Sequence, residues 1–257
     1  MLRNVIDISE NLHESIQNNL NNNAIFVDDN MYTYSQVYER SLKIKSTLLK
    51  HIKKSEQFIG ILCYRSIDVY AGILGVLFSK NAYLPINPLS PKENIKKIIT
   101  FSECETIILG EECVDIFLEI LDIKKSLKLI CPNPGKKLKD LCKQKNHHNF
   151  IFPESFSKSD IVAEKNIHEY APAYMMFTSG TTGDPKGISV SHKNLIAYCN
   201  NIIERYKFDN TDRISQMFDI TFDLSVHDIL ITFLSGACLY VVPKRYLISP
   251  ANFIIKH

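Results

Sequence analysis

Apolar residues fall on two alternating periods along this chain. Leu12, Ile16 and Leu20 recur at helical spacing, predicting a helix that Ser9 caps and Asn21-Asn22-Asn23 ends. The short runs Ala24-Ile25-Phe26-Val27 and Met31-Tyr32-Thr33-Tyr34 read as a hairpin across Asp28-Asp29-Asn30. A helix capped by Ser35 follows, to about residue 49. Residues 58–64 read as a buried strand and 67–79 as a core helix. Ser90-Pro91-Lys92-Glu93 has the form of a capping box with proline at the first helical position, opening a helix to about residue 101. Residues 106–109 and 127–131 read as short strands around a helix at 114–121.

Pro132-Asn133-Pro134-Gly135 breaks this rhythm. Residues 136–149 are polar and aperiodic except for a short Leu138/Leu141 face. The stretch 133–165 therefore reads as a surface connection between two halves, 1–132 and 166–257. Beyond it, 174–177 and 188–190 read as strands, and Ser191 or Asn194 can cap a helix over 195–206. A strand is predicted at 213–217 and a helix at 226–234, capped by Asp223 or Ser225 and ended by Gly236. A strand at 237–242 follows, and Ser249-Pro250 opens a last helix. The alternation of strand and helix predicts an α/β fold, with mostly parallel sheets flanked by helices.

The 257 residues can bury a real core, and 45% hydrophobic with 23% charged residues is ordinary for a globular protein. A net charge of +2 indicates neither a nucleic-acid partner nor a strongly acidic one. The lysines of 136–139 read as solvated surface. Seven cysteines, with no Cys-x-x-Cys spacing, argue against a disulfide framework or a zinc site. Met1-Leu2-Arg3-Asn4 lacks an apolar signal core, and the apolar stretch 69–78 is too short to span a bilayer. The expected place is the cytoplasm, without a membrane partner.

The candidate chemistry begins at Thr178-Ser179-Gly180-Thr181-Thr182-Gly183-Asp184-Pro185-Lys186-Gly187. Glycines let backbone N–H groups approach phosphate oxygens, hydroxyls donate hydrogen bonds, and Lys186 supplies a point charge. A plain hairpin turn would also use Gly, Asp and Pro, but four hydroxyls interleaved with glycine exceed what a turn needs. A Walker A loop is excluded, because Lys186 follows Pro185.

This run closely resembles the phosphate-binding signature of the adenylate-forming (AMP-binding) superfamily. That superfamily holds acyl-CoA synthetases, luciferases and the adenylation domains of nonribosomal peptide synthesis. Thr33-Tyr34-Ser35 and Ala82-Tyr83-Leu84-Pro85-Ile86-Asn87-Pro88 resemble its first two core motifs. Phe222-Asp223-Leu224-Ser225 resembles the fourth motif of amino-acid-adenylating domains. The run 222–229 is most similar to that of ligases loading D-alanine or L-proline onto a carrier protein.

The resemblance implies ATP-dependent activation of an amino acid to an aminoacyl-adenylate, then transfer to a carrier protein's phosphopantetheine thiol. Thr178, Ser179, Gly180, Thr181, Thr182 and Gly183 would hold the phosphates with Mg²⁺ as counter-ion, and no residue is assigned to the metal. Lys186 would be the catalytic cation, stabilising the leaving pyrophosphate. Asp223 would pair with the substrate's α-ammonium, and Leu224 and His227 would line the side-chain pocket. A simpler role for Asp223 is the N-cap of the next helix, and His227 has a bland reading as a helix residue among polar neighbours. His192 fits the family pattern as a packed residue, and Asp228 reads as a helix or surface residue.

A Tyr-Gly-Pro-Thr-Glu-like adenine motif, the later ribose-binding aspartate and the small C-terminal domain with its lysine are not found. The expectation is therefore a partial AMP-binding domain over 1–257, the incomplete N-terminal large domain of that fold. Alone it is expected not to complete adenylation, and a separate chain is one way to supply the rest. The alternatives are a fragment of an acyl- or aryl-acid CoA ligase, or a non-catalytic truncated remnant.

Overall fold

The computed structural model describes residues 7–52, 57–120, 123, 126–143, 147–152, 167–179 and 185–256. Its first part runs α1 (Ile8–Asn18), β1 (Asn23–Val27), β2 (Asn30–Thr33), α2 (Tyr34–His51), β3 (Phe58–Leu62), α3 (Ile67–Phe78), β4 (Ala82–Pro85) and α4 (Lys92–Phe101). Then come β5 (Thr106–Leu109), α5 (Val114–Leu118), β6 (Lys128–Ile130), α6 (Lys136–Lys143) and β7 (Asn149–Ile151). The last part holds β8 (Pro172–Ser179), β9 (Pro185–Ser191), α7 (His192–Tyr206), β10 (Arg213–Gln216), α8 (Asp223–Ser235), β11 (Cys238–Val241) and α9 (Pro250–Lys256).

The strands form two sheets. The larger has seven strands in the order β7-β6-β5-β3-β4-β8-β9, parallel except for the antiparallel β8–β9 pair. The smaller has the order β10-β11-β1-β2, with only β1–β2 antiparallel. The expected α/β class with mostly parallel sheets is what the molecule has.

Successive strand residues point to opposite faces, so a sheet covered on both sides must be apolar throughout. In β5, Ile108 joins one core and Ile107 and Leu109 the other. The first core packs α1, α2, α3, α7 and α8 between the two sheets, through residues such as Leu12, Ile44, Leu74, Leu195 and Ile229. The second packs α4, α5 and α6 on the far face of the large sheet, through Ile95, Ile99, Phe117 and Leu138. Gly75 lets α3 lie close on α2: a Cβ there would sit 2.8 Å from Ile44 Cβ and 2.9 Å from the Ser41 carbonyl oxygen.

Several local expectations shift. Asp7 caps α1, accepting from the Ser9 amide at 2.9 Å, and the helix ends at Asn18. Thr33 caps α2 in a box with Gln36, so Ser35 does not. Pro91 precedes α4 with no side-chain cap, so the Ser90/Glu93 box is not formed. The hairpin β1–β2 turns through Asp28 and Asp29, both left-handed at φ 51° and 57°.

The stretch 133–165 is more than a connection. α6 buries Leu138 and Leu141 in the second core, and β7 forms one edge of the large sheet. Residues 153–166 lie outside the described residues. All seven cysteines are free thiols, six of them buried and Cys142 exposed. No helix among the described residues is long and apolar enough to cross a membrane.

Candidate functional site

The β8–β9 hairpin brings the two ends of the glycine- and hydroxyl-rich loop together. Thr178 faces Lys186 across the ladder, and Ser179 faces Pro185. Thr178 and Lys186 are both exposed. Gly180, Thr181, Thr182 and Gly183 lie outside the described residues. Gly187 stands opposite Phe177, where a Cβ would lie 3.0 Å from Met175 Sδ and 3.0 Å from Phe177 Cζ. Glycine there lets these side chains pack across the hairpin. The loop leaves the carboxyl end of β8, which runs parallel to β4. That is the edge of an open α/β sheet where ligands bind.

β9 passes directly into α7, capped by Ser191, whose hydroxyl accepts from the Asn194 amide at 3.3 Å. His192 follows and is fully buried. Its Nδ1 accepts from the Ile8 amide at 3.4 Å and lies 3.5 Å from an Asp7 oxygen. Burial pushes the imidazole below its ordinary pKa, although Asp7 opposes this, so the ring is neutral at pH 7. His192 thus fastens the hairpin to α1, in keeping with a packed rather than catalytic role.

α8 begins after a tight turn. Asp219 Oδ1 accepts from the Thr221 amide at 3.0 Å and the Thr221 hydroxyl at 2.8 Å. Phe222 is the N-cap residue and supplies no side-chain cap, so Asp223 occupies the first helical position and neither it nor Ser225 is the cap. Ser225 instead donates to the Phe222 carbonyl at 2.6 Å. Gly236 ends α8 at φ 81°. The Tyr34 hydroxyl secures that end, 3.1 Å from the Thr232 carbonyl and 2.7 Å from that of Ala237.

Asp223, Leu224 and His227 come together in one pocket of about 290 Å³, with Tyr174, Val190, Asn194, Leu195, Tyr198 and Val226. Asp223 is exposed and Leu224 half-exposed, while His227 is half-buried. Burial first, and then the Asp223 charge, push the Tyr174 phenol up to about 12. Burial pushes His227 below its ordinary pKa, which keeps its imidazole neutral at pH 7.

Two pocket residues escaped the sequence reading. Tyr198 lies on α7 and bonds His227, and Tyr174 forms the pocket wall from β8. Their only sequence mark is membership of an amphipathic helix and an apolar strand. Asp228, expected as a helix or surface residue, does lie on α8 but is buried at 8% exposure, and among the described residues its Oδ2 has no hydrogen-bond partner. Burial pushes that carboxyl up to about 7. Among the described residues no group of three or more His, Cys, Asp or Glu side chains gathers to hold a metal ion.

Known proteins resemble this chain in sequence and fold. The Vibrio cholerae adenylation domain AlmE, solved in complex with glycyl-adenosine-5'-phosphate, is 29% identical with a TM-score of 0.88, covering 98% of this chain and 48% of its own. Gramicidin S synthase 2 of Brevibacillus brevis is 28% identical over 86% of the chain, and gramicidin S synthase 1 of the same organism 29% over 92%. The chain spans only 4% and 20% of those two proteins. The fatty acyl-adenylate ligase of L. pneumophila shares the fold at 18% identity and a TM-score of 0.76, covering 98% of this chain and 42% of its own. The family model for AMP-binding enzymes matches residues 12–256, from α1 through both the loop and the pocket, and the chain belongs to that family.

Proposed function

We propose that this chain serves the ATP-dependent activation of an amino acid carboxylate to an aminoacyl-adenylate, for transfer to a carrier-protein thiol. The observation that carries the reading is the setting of Asp223. Its carboxylate opens α8, caps nothing, and lines a pocket with largely apolar walls. An ammonium entering such a pocket loses hydration, and a fixed carboxylate replaces it. The likeness to a glycyl-adenylate-bound adenylation domain supports the same substrate class.

In this reading Thr178, Ser179 and Lys186, with residues 180–183, hold the polyphosphate of ATP. Lys186 neutralises charge on the departing pyrophosphate. Mg²⁺ supplies further charge neutralisation when the nucleotide is bound. The carboxylate attacks the α-phosphorus, and the chain's task is to position the two groups. Leu224 and His227 border the substrate side chain.

The test is calorimetric titration of the chain with an aminoacyl sulfamoyl-adenosine and with its deaminated counterpart. The amine should tighten binding about 10- to 100-fold, the scale of one charge-assisted hydrogen bond. Asp223→Ala should remove that preference. Equal discrimination in both proteins would sink the assignment and reopen the acyl- or aryl-acid reading.

A further inference from the structure

One wall of the pocket holds a polar pair to which recognition of an amino group assigns no task. The Tyr198 hydroxyl lies 2.8 Å from His227 Nδ1, and the rings meet edge to face at 67° with centroids 6.1 Å apart. Tyr198 comes from α7 and His227 from α8, so the pair forms only where those helices meet. Both side chains line the pocket beside Asp223. Among the described residues the Tyr198–His227 bond is the only side-chain hydrogen bond either ring makes, and His227 Nε2 has no partner. Val190, Leu195 and Val226 make the adjoining wall apolar.

The protons of this pair can be counted. Burial keeps the His227 imidazole neutral at pH 7, with one N–H. Burial, followed by Cys199, Asp228 and Asp223, raises the pKa of the Tyr198 phenol and keeps it protonated. If Tyr198 donates to Nδ1, then Nε2–H is a free donor and the phenolic oxygen a free acceptor. If Nδ1–H donates to Tyr198, then Nε2 is a free acceptor and the phenol a free donor. Either way the pair offers one donor and one acceptor.

A hydroxyl or a carboxamide both donates and accepts, so it can satisfy both ends. A carboxylate only accepts, an ammonium only donates, and an alkyl group does neither. We propose that Tyr198 and His227 together read the side chain of the activated amino acid and select one carrying a hydroxyl or a carboxamide. This rests on the amino-acid reading of the pocket given above. Tyr198 is then a specificity residue that no motif marks. The relay needs no fixed tautomer, because the substrate group can turn to match whichever one is present.

The test is a panel of sulfamoyl-adenosine analogues titrated into the unaltered chain by calorimetry. The panel holds serine, threonine, asparagine, alanine, valine, aspartate and lysine side chains, with the deaminated alanine analogue as control. The serine, threonine or asparagine analogue should bind about tenfold tighter than the alanine, valine, aspartate and lysine analogues, the scale of one neutral hydrogen bond at its upper range. Tyr198→Phe keeps the ring and removes the hydroxyl, and should bring the panel within about twofold by weakening the serine, threonine and asparagine analogues most. His227→Phe should also bring the panel within about twofold, with melting temperatures confirming that both variants fold. A merely structural pair would weaken every analogue alike, and that result overturns the proposal. Equal binding of all side chains to the unaltered chain, with the amine still preferred, overturns the pair alone. Loss of the preference for the amine, or no binding of any analogue, overturns the pair together with the amino-acid reading.

Discussion

The buried carboxyl of Asp228 makes stability depend on pH in a direction that can be worked out beforehand. The group is 8% exposed, its Oδ2 lacks a hydrogen-bond partner among the described residues, and burial pushes its pKa up to about 7. In the unfolded chain an aspartate titrates near 3.9. Below about pH 4 both states are protonated and the group contributes no pH dependence. As pH rises towards 7 the unfolded state loses its proton first, so folding grows less favourable until the folded carboxyl also ionises. Three pH units correspond to about 4 kcal/mol at most, and residual exposure with solvent screening brings the working figure to about 2 kcal/mol. Tyr70 and Tyr198 lie within reach of the Asp228 charge, and both phenols have raised pKa values that leave them neutral in this range. Asp228→Asn removes the titration while keeping the shape. Urea unfolding at pH 4.5, 5.5, 6.5 and 7.5 should show the variant gaining on the native chain by about 2 kcal/mol across the series. The difference between the two chains cancels every other titrating group. A constant difference at all four pH values would refute the reasoning.

Three further outcomes are expected. Tyr34→Phe strips the hydroxyl that serves the Thr232 and Ala237 carbonyls at the end of α8, and should cost about 1–3 kcal/mol in a denaturant melt. Gly75→Ala forces a methyl against Ile44 and the Ser41 carbonyl and should cost about 1–3 kcal/mol, whereas an unchanged melt would mean that α2 and α3 can part freely. Lys186→Ala should weaken ATP binding by about one to two decades in a fluorescent-nucleotide titration, and unchanged affinity would reduce the loop to a hairpin turn.

The elements that could be read from sequence are those fixed by local pattern. β5 occupies the predicted residues because Thr106, Ile107, Ile108 and Leu109 form a short apolar run, buried on both faces. The hairpin β1–β2 was legible because Asp28 and Asp29 tolerate left-handed backbone. Helix starts were less legible, because several capping residues stand close together and tertiary packing chooses among them. Asp7 wins over Ser9 because Asp7 is also held by Lys80, whose Nζ lies 3.6 Å from its carboxylate. α6 was missed as a core element because two apolar residues, Leu138 and Leu141, are enough to dock so short a helix. The division into two sheets depends on pairs such as Ile25 with Leu239, which no local pattern reveals. The site divides the same way. Asp223, Leu224 and His227 sit at i, i+1 and i+4 of one helix and read as a continuous motif, whereas Tyr198 reaches them only through the packing of α7 on α8.

The β8–β9 hairpin explains why the loop and the pocket act as one site under the proposed function. Tyr174 pairs with Val190 in the ladder, and both line the pocket. Thr178 pairs with Lys186 at the loop end. Residues directly opposite in an antiparallel ladder share a face, and so do residues i and i+4 of one strand. All four side chains therefore lie on one face of the hairpin. Four residues of strand separate the two pairs by about 13 Å. Under that reading, an amino acid held by its side chain and ammonium at the Tyr174 end would present its carboxylate towards the loop end, where the phosphates would lie. Rigidity matters here, because a displacement of about 1 Å between reacting groups can cost a hundredfold in rate. The ladder fixes the span through backbone hydrogen bonds, with Gly187 allowing Phe177 and Met175 to pack beneath it. A larger residue at Gly187 would shift Lys186 relative to Val190 without touching either ligand, so nucleotide and amino-acid analogue affinities should fall together in Gly187→Val.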